Sequence, residues 1–159
     1  MNMVNSLEMY LRLFKLLTVK VTNGVKAPHK ALMLLTIFDL IESGYIKSNE
    51  IFLDDNIAKI FKEKWNKLIA SQERFKFFSP NPWTPFWHLK NDHFWRFVPN
   101  KGFSSDDIDK ISSGITPSIG KLRKIIYCAK LEQSLYDLLL EKDKRETLAN
   151  VLITEYISI

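Results

Sequence analysis

Residues 28–44 read P-H-K-A-L-M-L-L-T-I-F-D-L-I-E-S-G, and this stretch decides the fold. Between Ala31 and Ile41 only Thr36 and Asp39 are polar. A helix that is apolar on nearly every face has to be surrounded by other elements. Pro28 suits the first helical position, and Gly44 suits the residue just past the last turn. The run is too short and too interrupted to be a membrane span. It predicts the central buried helix of a soluble domain. A helix N-terminus offers unpaired backbone N–H groups and a partial positive charge, which together favour an anion. His29 and Lys30 stand in that first turn, with Lys26 just ahead. Read as structure alone, Lys30 is a solvated side chain and His29 a satisfied surface histidine.

The chain around this helix has 159 residues, 46% of them hydrophobic and 13% aromatic. That is enough for one domain with a real core, residues 1–159, and it argues against disorder. The opening M-N-M-V-N-S has no signal-peptide pattern. The single cysteine, Cys128, excludes an internal disulfide framework and a Cys-rich zinc site, and fits a reducing cytoplasm. The net charge is +5, with +6 carried by residues 1–101 and −1 by residues 102–159. The basic excess lies with the central helix and the aromatic middle, which points to a polyanion partner.

On either side of the central helix the pattern is amphipathic. Residues 6–19 carry Leu7, Tyr10, Leu11, Phe14 and Leu17 or Val19 at helical spacing, with Ser6 as N-cap. Thr22-Asn23-Gly24 breaks the pattern. Residues 45–53 are short and compatible with a strand. Asp54-Asp55 caps a helix from Asn56 to about Ala70, whose outer face carries Lys59, Lys62, Lys64 and Lys67. A short helix is expected around Asp106 to Ser112. Residues 118–129 read as helix, with the Ile-Ile-Tyr run as an alternative strand, and 131–140 and 144–157 as two further amphipathic segments.

Residues 75–98 are different, reading F-K-F-F-S-P-N-P-W-T-P-F-W-H-L-K-N-D-H-F-W-R-F-V. Pro80, Pro82 and Pro85 forbid a helix through the first half. Phe86–Leu89 and Phe94–Val98 flank K-N-D-H, which suits a β-hairpin. Most of these rings belong against the helices. The fold class that results is mainly α, a compact helical domain with a buried central helix and a small antiparallel β-hairpin.

No motif for chemistry is present. There is no P-loop, no G-x-G-x-x-G, no H-E-x-x-H and no G-x-S-x-G. His29, His88 and His93 are far apart or on opposite sides of the expected hairpin, so no metal or other cofactor is expected and no catalytic residue is assigned.

A-P-H-K-A-L-M-L-L at 27–35, P-F-W-H-L at 85–89 and N-D-H-F-W-R-F-V-P at 91–99 follow one another as they do in a known family. With the C-terminal L-E-Q-S-L-Y-D-L-L-L, the chain resembles the DNA sulfur-binding domain of modification-dependent HNH restriction endonucleases. The resemblance spans nearly the whole chain. It implies a mainly helical module that recognises a phosphorothioate in double-stranded DNA, as the recognition part of a type IV restriction system. A nuclease domain usually follows such a module, and the module itself is no enzyme. By resemblance, Pro85 matches the pocket proline, Thr84 and His88 flank it, and His29 and Lys30 match the basic pair. Lys26, Arg96, Lys101 and Lys121 are the further expected DNA contacts. Three positions depart from the family. Thr84 stands where an aromatic residue is typical, Ala31 where a second proline is common, and His93 where a glycine is usual. Two other readings stay open: a domain that binds general or otherwise modified DNA without sulfur selectivity, and a protein-interaction domain. The expected location is the cytoplasm, with no membrane partner.

Overall fold

A computed structural model describes residues 3–111 and 114–158. Helix α2, His29–Glu42, is the element around which the others pack. Every residue from Lys30 to Ile41 except Asp39 is buried. The two polar residues in its apolar run are each resolved. The Thr36 hydroxyl donates to the Leu32 carbonyl at 2.8 Å. Asp39 lies at the exposed edge and pairs with Lys64. Pro28 stands one position earlier than expected, as the N-cap, and its carbonyl accepts from Leu32 N–H at 3.0 Å. Gly44 ends the helix at φ +80°, a left-handed conformation that glycine adopts without strain.

Around α2 lie α1 (Met3–Lys15), α3 (Asp55–Lys64), α4 (Trp83–His88) and α8 (Lys142–Leu152). Tyr10, Phe14 and Leu17 of the first amphipathic stretch are buried, and Phe14 meets Phe38 of α2 at 6.1 Å. Ser6, expected as a cap, is instead a buried residue inside α1. Helix α3 begins as the sequence indicated, with the Asp54 carboxylate accepting from Ile57 N–H at 2.9 Å. It continues as a π-helical turn, Trp65–Ile69, and α8 does the same over Ile153–Ile157. Among the described residues no helix is long and apolar enough to cross a membrane.

The strands form two antiparallel sheets. The first is a tight hairpin of β1 (Val21–Thr22) and β2 (Val25–Lys26), joined by Asn23 and Gly24 at φ 52° and 76°. That pair of left-handed residues is the two-residue turn an Asn-Gly dipeptide favours. The second sheet has the order β3 (Glu50–Ile51), β5 (Ile126–Leu131), β4 (Trp95–Pro99). The fold class is therefore as expected, but the hairpin is not where the aromatic middle suggested. Trp83–His88 is helix α4, and Leu89–Asp92 continues it as a 3-10 turn. Pro82 sits at the N-cap and Pro85 within the first turn, where a missing N–H breaks no intrahelical bond. Phe86, Trp87 and Leu89 are all buried, which alternation on a half-buried strand would not allow. β4 has Trp95 and Phe97 inside and Arg96 outside, and it pairs with β5. The Ile-Ile-Tyr run straddles a boundary: Ile125 ends α6 (Ile119–Ile125), and Ile126 and Tyr127 begin β5. Of residues 45–53 only Glu50–Ile51 are strand. The short helix α5 spans Ser105–Asp109 and is closed by a capping box between Ser104 and Asp107; Ser112, expected at its end, lies outside the described residues. Helix α7 spans Gln133–Leu139.

Candidate functional site

The start of α2 and the start of α4 face one another across a cleft of about 470 Å³. His29 and Lys30 come from the first element, and Thr84, Pro85 and His88 from the second. Fifty-odd residues of chain separate these two groups, yet five of the nine residues expected to touch DNA line this one cleft. The remaining walls are Thr18, Val19 and Lys20 from the α1–β1 connection, with Ala27, Phe78, Asn91 and Gly114. Most of that surface is apolar: a proline ring, a valine, an alanine methyl and a phenylalanine ring.

His29 is fixed from three sides. Its ring lies 5.0 Å from Trp65 and 5.7 Å, edge-on, from Phe78. Its Nε2 is 2.8 Å from the Ser79 carbonyl, so Nε2 carries the hydrogen and donates it. In the neutral ring Nδ1 is then an acceptor. Burial lowers the pKa of His29, and the Ser79 carbonyl offsets this in part. His88 reaches Thr116, with Nε2 and Oγ1 3.0 Å apart. Its pKa is lowered by burial first, and then by the charges of Lys30 and Lys90. Both histidines are thus neutral at pH 7, and the cleft wall presents uncharged nitrogen.

Lys30 corrects the expectation of a phosphate-gripping side chain. It is 7% exposed. Its ammonium donates to Asp92 Oδ2 at 2.5 Å and to the Thr18 carbonyl at 2.5 Å. The other oxygen of Asp92 accepts from Thr18 N–H at 2.7 Å. The charge of Lys30 is therefore neutralised inside the protein. The pair ties the start of α2 to the end of the 3-10 turn and to the connection that forms one wall of the cleft. Asp92 is likewise committed, so it is no ligand for a metal between His88 and His93. Among the described residues no group of three histidine, cysteine or acidic side chains is arranged to hold a metal ion.

The other expected contacts lie elsewhere. Lys26 of β2 pairs with Glu155, 3.6 Å away, and its ammonium lies 5.3 Å from the centre of the Tyr156 ring. Arg96 stands on the outer face of β4, Lys101 in the exposed turn after it, and Lys121 on the exposed face of α6. Lys20 was not singled out in the sequence. It is exposed at the cleft, and among the described residues no acid pairs with it. Nothing in its local pattern marks it, because V-K-V-T-N-G reads only as a turn.

His93 adopts a backbone conformation that favours glycine. It follows the 3-10 turn at φ +67°, in the left-handed region. A glycine there would be free of strain, whereas histidine costs about 1 kcal/mol.

No family model matches this chain, and no curated protein matches it.

Proposed function

We propose that this chain is a DNA-binding recognition module, without catalysis of its own, that holds a backbone phosphorothioate in the cleft between α2 and α4. One observation carries the reading. Two sequence motifs that the resemblance pairs, at 27–35 and 85–89, contribute His29, Lys30, Pro85 and His88 to the same apolar cleft, with Thr84 just ahead of the second. Sulfur is larger and more polarisable than oxygen and a poorer hydrogen-bond acceptor. A Pro85 ring beside Val19, Ala27 and Phe78 gives it dispersion contact at little desolvation cost. An ordinary phosphate oxygen in the same place loses water partners that the two neutral histidines replace incompletely. An unpaired buried polar group costs on the order of 1–3 kcal/mol. Selectivity is then in part rejection of the ordinary phosphate. Affinity comes from free lysines and arginines around the cleft, Lys20 among them, and falls with salt.

The test compares duplexes with and without one phosphorothioate, for the wild type and for Pro85→Ala. Alanine keeps the first turn of α4 and removes most of the ring. The ratio of the two affinities should fall several-fold, with affinity for ordinary DNA unchanged. A ratio that stays constant in a folded Pro85→Ala protein removes Pro85 from the sulfur contact. Equal affinity of the wild type for both duplexes removes the phosphorothioate reading and leaves DNA binding without sulfur selectivity.

A further inference from the structure

The outer face of the three-stranded sheet holds a pair of cations outside the cleft. Arg96 of β4 is directly opposite Lys130 of β5, and Glu50 of β3 is opposite Lys130 on its other side. Opposed side chains on antiparallel strands stand about 4.5–5.5 Å apart at Cβ, and like charges placed so repel. Either a carboxylate or an external anion relieves that repulsion. Among the described residues no carboxylate lies within 4.0 Å of either cation, whereas Lys26, Lys30, Lys64, Arg123 and Arg145 each have one. Glu50 is the acid in the same row, and its Oε2 is directed to the Cys128 thiol at 3.8 Å. Glu132 borders the depression around Arg96 and Lys130, but its Oε1 accepts from the Tyr10 hydroxyl at 3.0 Å.

This row adjoins the cleft. Asn91 lines the cleft and also the next depression, which contains Lys90, Asp109 and Arg96. Arg96 in turn lines the depression of Lys130. Lys90 is held between them, its ammonium 4.6 Å from the centre of the Trp87 ring. Lys90, Arg96 and Lys130 thus form a strip of three cations leading from the mouth of the cleft onto the sheet. A small anion would need one of these positions. A strip matches a polymer whose charges repeat along its backbone.

We propose that Arg96 and Lys130 form a second anion site, which takes a backbone phosphate of the nucleic acid bound at the cleft. This rests on the cleft being a DNA site. Two phosphate-neutralising charges at the sheet add to salt dependence without adding sulfur preference. Glu50 opposes the site electrostatically, so removing its charge strengthens binding.

The experiment measures fluorescence anisotropy of a long and a short duplex, each centred on one phosphorothioate, with unmodified controls, across a salt series. Arg96→Gln/Lys130→Gln should weaken binding of the long duplex about tenfold and reduce the slope of log K against log salt by about 1.8. The sulfur preference should be retained, and the short duplex should be little affected. Glu50→Gln should shift long-duplex affinity the opposite way. An unchanged salt slope in the folded double variant, or weaker binding by Glu50→Gln, overturns the site. A wild type that ignores sulfur while the double variant still loses slope on ordinary DNA supports the site and overturns the phosphorothioate reading. No DNA binding by the wild type overturns both.

Discussion

Lys30→Met separates a buried ion pair from a phosphate contact. Methionine keeps most of the length and apolar volume of lysine and removes the charge. The variant leaves the Asp92 carboxylate enclosed, with Thr18 N–H as its one remaining donor at 2.7 Å. Removing one partner of a buried pair costs about 3–5 kcal/mol, because the other charge stays out of water. For a domain of this size each kcal/mol lowers Tm by about 2–4 °C, so a fall of roughly 6–20 °C is expected. Asp92→Asn should destabilise by a comparable amount, since it strands the ammonium instead. The double variant Lys30→Met/Asp92→Leu removes both charges and should recover most of the loss. It keeps a deficit of about 1 kcal/mol for the lost partner of Thr18 N–H. Urea unfolding followed by tryptophan fluorescence reads all three. The same proteins go into the salt series with duplex DNA. A neutralised Lys30 contributes no released counterion, so the salt slope of a folded variant should stay that of the wild type. The reasoning is refuted if Lys30→Met loses less than about 1 kcal/mol and flattens the slope by about 0.9. That result would make Lys30 a free phosphate contact.

Further expectations concern the histidines and the turns. His29 and His88 have lowered pKa values in the folded state, while the unfolded chain takes up their protons near 6.5. Stability present above pH 6.5 should therefore decline as pH falls through 6.5 toward the folded-state values, and His29→Phe should flatten that decline in a pH series of urea midpoints. His93→Gly should raise stability by about 0.5–1 kcal/mol, because φ +67° suits glycine; a loss in the same urea assay would mean that the His93 side chain makes a contact worth more than the strain. Gly24→Ala should cost about 1 kcal/mol, since φ +76° strains any residue with a Cβ although open space surrounds it. Lys20→Gln should reduce the salt slope of DNA binding by about 0.9 with Tm unchanged, and an unchanged slope would place Lys20 off the DNA path.

Helix α2 was legible because its signal does not depend on its surroundings: a helix with no polar face has only one place to go. The start of α3 was legible for a similar reason, since Asp54 caps its own chain three residues on, whereas Ser6, read as the cap of α1, lies inside that helix. The aromatic middle was misread because alternation and burial compete there. Three prolines argue against a helix only when they fall inside it, and Pro82 and Pro85 fall at its start. With Phe86, Trp87 and Leu89 all buried, only an element enclosed on several sides fits, and that enclosure is supplied by α2 and β4, which no local window contains. β5 was ambiguous because Ile126 and its neighbours satisfy either period until a partner strand is known.

The cleft divides in the same way. His29, Pro85 and His88 could be named because each sits in a short motif whose order along the chain is informative, and Thr84 because it precedes one of them. Thr18, Lys20 and Gly114 could not, since they are connection residues with no period of their own, and neither the helical spacing at Val19 nor the motif that opens at Asn91 indicated a place in the cleft wall. Lys30 shows where local reading stops. Its position in the first turn of α2 was correct, and a cation there suggests an anion. The anion turned out to be Asp92, 62 residues away and equally buried. Charge in a sequence is a count, and whether a given lysine remains available to a ligand depends on which carboxylate the fold brings to it. In this protein that pairing takes Lys30 out of the salt-dependent contacts and makes it a brace for the cleft wall. Any free positive charge around the cleft then has to come from side chains that the motifs did not mark, Lys20 at its edge and Lys90 beside it.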